Sequence, residues 1–115
     1  MNETTTCSGT IVILRSTGER AVFTVFDANV LKHLNAAVGG YIEQVPYFTR
    51  YQYHPDSKPV ECVAFCNEDG KLQGLPYNAI ATHIWHSQTP DISNKDILVG
   101  DVAVVFGDEE FMQNL

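Results

Sequence analysis

The chain has 115 residues, 44% of them hydrophobic and 18% charged, which is the size and make-up of one globular domain and leaves no room for a second independent core. Seven basic residues against fourteen acidic ones give a formal charge of −7, so the chain gains little by neutralising nucleic-acid phosphates or anionic lipid, and both partner classes are disfavoured. No apolar run approaches the roughly 18 residues needed to cross a bilayer, and residues 1–6 carry no leader signal. The expected location is the cytoplasm, and three cysteines, an odd number, suit that reducing compartment.

Residues 1–9 are polar and expected to be frayed; residues 10–107 are expected to form one domain, and residues 108–115 a short acidic tail capable of one or two helical turns. Thr10-Ile-Val-Ile-Leu14 is a β-branched run of strand length, and Ser16-Thr17-Gly18-Glu19 carries turn chemistry. Residues 21–26 then form the second arm of a hairpin. Large apolar groups on both sides of this arm predict that at least one strand is central or covered by a helix. Asp27 or Asn29 can cap the helix that follows, in which Val30, Leu31, Leu34 and Val38 recur at helical spacing until Gly39-Gly40 stops it.

Residues 41–45 leave that stop as a strand, which Pro46 confines to an edge or a bulge. An aromatic stretch, residues 47–53, ends in a loop rich in proline. Residues 60–66 return as a strand, and Asn67-Glu68-Asp69-Gly70-Lys71 reads as a hairpin turn with Gly70 in the left-handed region. Asn78 can cap a short helix from Ala79 to about His86, and residues 97–106 form the last strand, with Gly100-Asp101 in its middle. The order ββαβββαβ predicts an α+β fold in which a mostly antiparallel sheet of five to six strands carries two short helices.

If residues 60–67 are extended, Cys62 and Cys66 share one face about 13 Å apart, too far for a disulfide or for one tetrahedral zinc ion with His83 and His86. They read as buried, inert thiols, and no metal or other cofactor is expected. No nucleophile elbow, P-loop, zinc-protease or dinucleotide motif occurs, so the chain is expected not to be an enzyme; the one alternative is a Cys62 or Cys66 thiol paired in space with His83. Net charge is confined to the C-terminal half. Residues 1–60 hold five acids and five bases, and residues 61–115 hold nine acids against Lys71 and Lys95. That asymmetry reads either as solvation or as an acidic face for a basic partner.

Tyr41, Tyr47, Phe48, Arg50, Tyr51 and Tyr53 offer flat contact surface and a guanidinium suited to phosphate, the elements of a nucleotide pocket or a protein interface. The competing reading places Tyr47, Tyr51 and Tyr53 at alternate positions of a half-buried edge strand.

Three islands, Val38-Gly-Gly-Tyr-Ile-Glu43, Cys66-Asn-Glu-Asp-Gly-Lys-Leu72 running into Gly74-Leu-Pro-Tyr-Asn78, and Val99-Gly-Asp-Val-Ala-Val-Val105, resemble a family of small proteins from bacteriophages, plasmids and bacteria catalogued as a domain of unknown function. The resemblance covers about residues 10–107. It implies an intracellular, mobile-element setting and no chemistry. Turn and cap roles explain much of the islands, but Glu43, Asn67, Lys71 and Asn78 invite convergence at one end of the sheet.

The first expectation is a non-enzymatic binding protein, a counter-defence factor that sequesters a nucleotide-derived signal. Arg50 and Lys71 would hold phosphate, Tyr41 or Tyr47 would stack the base, and Asn67 or Asn78 would read polar edges beside Glu43. The alternative is a protein-interaction module whose acidic face modulates a basic host protein. Two-sided apolar strands with only two helices to cover them further predict a homo-oligomer, with Tyr47, Phe48 and Tyr51 at the interface.

Overall fold

The computed structural model describes residues 8–25, 29–89, 96–113 and 115. Cys7, Phe26, Asp27 and Lys95 lie outside the described residues, and with them the Asp27 alternative for the first helix cap.

β1 (Gly9–Leu14) and β2 (Arg20–Val25) form the expected hairpin, Val12 opposite Val22, closed by a turn in which Gly18 takes φ +96°. β7 (Val102–Gly107) pairs with the other side of β1, which makes β1 an inner strand and explains its nearly continuous burial. β6 (Val63–Asn67) follows β7, and β3 (Ile42–Gln44) closes the sheet at the edge that Pro46 predicted, giving the all-antiparallel order β2-β1-β7-β6-β3. A separate two-stranded ribbon joins β4 (Arg50–Tyr51) to β5 (Val60–Glu61). Residues 60–66 are thus not one strand. The run divides at the buried Cys62, whose N–H still bonds the Thr49 carbonyl, and the chain passes there from the ribbon into the main sheet.

Three helices cover both faces of the sheet. α1 (Val30–Val38) lays Val30, Leu34 and Val38 on Ile11, Ile13, Phe65 and Val105, while Leu31, expected on the same face, is 56% exposed. Its N-cap is Asn29, whose side chain makes no capping bond, and Gly39 ends it at φ +76°. α3 (Glu109–Gln113) forms in the expected tail; Asp108 accepts the Phe111 N–H, and the Phe111 ring packs over Gly9 and Gly107, where any side chain would collide with it. On the opposite face, α2 (Ala79–Gln88) sets Ala81 and Trp85 against Val12, Val102 and Val104, alongside Phe48 and Tyr51.

The expected homo-oligomer had Tyr47, Phe48 and Tyr51 at its interface, and two of these three are buried within the chain. Phe48, 1% exposed, and Tyr51 face this chain's own core rather than a subunit interface. Of the aromatic side chains in residues 47–53 only Tyr47 is largely exposed, and Tyr53 is half-buried beside Phe106.

The segment after β6 also differs from the expected hairpin. The Asn67 side chain accepts the Asp69 N–H at 2.8 Å and its carbonyl accepts the Gly70 N–H, so an Asx turn bends the chain without a left-handed Gly70; the positive φ falls on Gly74 instead. Residues 68–74 then run as successive turns to the Tyr77–Val99 bridge and α2. Gly100, at φ +72°, delays the last strand until Val102.

Candidate functional site

Positions 83 and 87 of α2 face one flank of the helix, position 85 and the following Thr89 face another, and each flank borders a depression. The larger, about 610 Å³, is walled by Glu43 and Gln44 of β3, the Val45-Pro46-Tyr47 turn, Cys66 and Asn67 at the end of β6, Glu68, Lys71 and Leu72 of the following turns, Trp85, Thr89, and residues 96–99. All three sequence islands contribute to it: Glu43 from the first, Cys66 to Leu72 from the second, Val99 from the third.

Its walls are held in place. The Trp85 indole N–H donates to the Pro46 carbonyl at 2.6 Å, which fixes the ring and the turn together. Next to that bond Tyr47 sits at φ +66°, a left-handed conformation that a bulky L-residue adopts only when its surroundings impose it, with its side chain 59% exposed. Lys71 is paired with the Asp96 carboxylate, which also accepts the Ile97 N–H; the lysine hydrogen bond is the main reason that Asp96 titrates below its ordinary value of 3.8. His86 Nε2 lies 2.7 Å from the Asp96 carbonyl. Among the described residues Glu43, Glu68 and Asp96 therefore share the lining with one lysine, which Asp96 already engages, and the lining is acidic.

The expected site residues divide accordingly. Glu43, Tyr47, Asn67 and Lys71 meet at this cavity; Tyr41, Arg50 and Asn78 do not. Tyr41 is 74% exposed outside it and offers only its carbonyl, to the Glu68 N–H. Asn78 is fully buried and spent on the fold: it donates to the Leu14 and Gly100 carbonyls, each at 2.8 Å, and accepts the Ala81 N–H as the predicted cap. Asn67 borders the cavity with its amide already committed, donating to the Val38 carbonyl and accepting from Asp69. Neither asparagine is placed to read a ligand's polar edge. Trp85 and Asp96 escaped the sequence reading; a single tryptophan on a short helix was the available signal for the first, and Asp96 follows a polar loop with no periodicity.

The smaller depression, about 410 Å³, lies between β4 and the other flank of α2 and is lined by Arg50, Tyr51, Gln52, Pro59, His83, Ile84, Ser87 and Gln88. The Gln88 side chain clamps β4 to the helix: its Oε1 accepts the Thr49 and Arg50 N–H groups and its Nε2 donates to the Arg50 carbonyl. Arg50 and Lys71 thus occupy different depressions and do not converge on one phosphate. The same separation keeps His83 away from Cys66. Burial pushes the Cys62 thiol up to about 12, and burial together with Glu43 pushes Cys66 up to about 11, so neither is a thiolate at neutral pH.

Residues 8–114 match the family model described as a domain of unknown function (DUF3846). The chain belongs to this family. The match extends past the three islands to take in α3, and the family carries no assigned activity. No curated protein and no solved structure matches the chain. Among the described residues of this DUF3846 member, no helix is long and apolar enough to cross a membrane.

Proposed function

We propose that this DUF3846 domain is a non-enzymatic binding module that receives a basic side chain of a partner protein in the acidic cavity beside α2. The observation that carries this reading is the lining itself, three carboxylates and one already paired lysine among the described residues. Apolar walls from Val45, Leu72, Trp85 and Leu98 suit the methylene stem of a lysine or arginine, and the exposed Tyr47 ring suits its charged head. The strained Tyr47 backbone supports a binding role, because such conformations persist where the surroundings hold a residue for a purpose beyond packing. Two thiols with pKa near 11 and 12 favour binding over nucleophilic chemistry. Glu68 and Asp96 belong to the acidic C-terminal half, so this is the acidic-face reading narrowed to one cavity.

A nucleotide-derived ligand, the sequestered signal of a mobile-element counter-defence factor, is the second reading. It is favoured by a volume within the usual range for small-molecule sites and by the exposed Tyr47 ring, and opposed by the sign of the lining charge. Trp85, the only tryptophan of the chain, reports on the cavity directly. Its emission is expected to change saturably with an oligolysine peptide, to weaken in response as salt rises, and to ignore adenosine monophosphate. A response to the nucleotide without one to the peptide reverses the order of the two readings.

A further inference from the structure

The chain has three arginines, and the fold employs two of them. Arg15 pairs with Asp101, and Arg20 donates to the Tyr51 hydroxyl and the Tyr53 carbonyl while lying 4.8 Å over the Tyr53 ring. Arg50 has no ion pair and no side-chain hydrogen bond among the described residues, although its backbone is held by two bonds to Gln88, which also accepts the neighbouring Thr49 N–H. Its side chain lines the smaller cleft together with His83, and no carboxylate among the described residues lines that cleft, in a protein whose charge is −7. A fixed backbone beneath an unused guanidinium lowers the ordering cost of a bidentate contact.

We infer that the cleft between β4 and α2 binds a phosphoryl group, with Arg50 as its fork and His83 as a second donor. The Ser87 hydroxyl adds no donor, since it is given to the Ile84 carbonyl at 2.6 Å, and Gln52 spends its amide hydrogens on the Pro55 and Ser57 carbonyls. Glu61 stands opposite Arg50 across the ribbon but is outside the cleft lining and is not bonded to it. A phosphoryl group is favoured over a carboxylate because it carries close to two negative charges at neutral pH and more acceptor oxygens. This site shares no residue with the acidic cavity and stands or falls independently of it.

The test is a titration of the intact protein followed by NMR at the Arg50 side chain and the His83 ring, with inorganic phosphate and acetate as probes. Phosphate is expected to give saturable shifts and to bind more tightly than acetate. Arg50→Gln, an exposed change that leaves the fold intact, is expected to weaken phosphate by at least about tenfold, His83→Gln by less, and Lys32→Gln, on α1 across the sheet, not at all. Glu61→Gln is expected to tighten it. Adenosine monophosphate and O-phosphoserine, run in parallel, distinguish a nucleotide from a phosphopeptide source by which outbinds inorganic phosphate. Absence of saturable shifts, an Arg50→Gln protein that binds as the parent does, or acetate binding as tightly as phosphate overturns the assignment.

Discussion

The two flanks of α2 are built on the same foundation and differ in chemistry. One borders a cavity with Glu43, Glu68 and Asp96 in its walls; the other borders a cleft whose described lining includes Arg50 and His83 and no carboxylate. Positions two apart on a helix point about 200° apart, so the step from His83 to Trp85 is enough to change flank. The comparison teaches that net charge is a poor guide to what one face of a small protein recognises. The C-terminal half holds the whole excess of acid, yet the helix within it offers an unpaired basic cleft on one side.

Changes to the shared foundation should erase the difference, and changes to one flank should isolate it. The largest effect is expected from Phe48→Ala. This fully buried residue lies in sequence between Pro46 and Arg50, which α2 bonds on either flank, and its loss should cost about 4 kcal/mol in urea unfolding and abolish ligand responses on both sides. Gln88→Met should cost about 1–2 kcal/mol and loosen β4, raising amide exchange at Thr49 and Arg50 while Trp85 fluorescence stays as it was. Trp85→Phe should free the Pro46 carbonyl and shift the Tyr47 amide resonance while amide exchange at Thr49 and Arg50 stays as it was. If either change alters both flanks equally, the flanks are not separable.

The smallest effect is electrostatic. Because the folded state holds Asp96 below 3.8, its contribution to stability is present above the unfolded pKa and fades as pH falls through the folded one, a window below about pH 4. Lys71→Met should raise the Asp96 midpoint toward 3.8, as read from its side-chain carboxyl resonance, and leave the Arg50 flank untouched. An unchanged midpoint would show that the lysine bond is not its main cause.

Much of the sheet was legible because its signals are local. The β-branched run at Thr10, the Gly18 turn, the Gly39 stop, Pro46 at the edge and Asn78 before α2 each act over a few residues, and each is found in the role its chemistry suggests. The division at Cys62 was not legible, since a continuous extended run looks the same whether it serves one sheet or two. Leu31 and Phe48 show the same limit from opposite sides: apolar spacing placed one in the core and an aromatic cluster placed the other on the surface, and tertiary packing reversed both. At the candidate site, residue type identified groups able to bind but not whether the fold had already used them. Asn78 and Asn67 were as eligible by chemistry as Lys71, and only the carbonyls of Leu14, Gly100 and Val38 show where their hydrogen bonds go.

Tyr47 and Arg50 are three residues apart on one strap, pinned to α2 by Trp85 at Pro46 and by Gln88 at Thr49 and Arg50, and to Cys62 at the Thr49 carbonyl. Such a strap is a short lever with a load point in each depression. A ligand of the cavity that moves this strap as far as Arg50 changes the free energy of occupying the cleft, and thermodynamic linkage makes that change reciprocal, the same factor in both directions; one whose effect stops at Tyr47 leaves the cleft as it was.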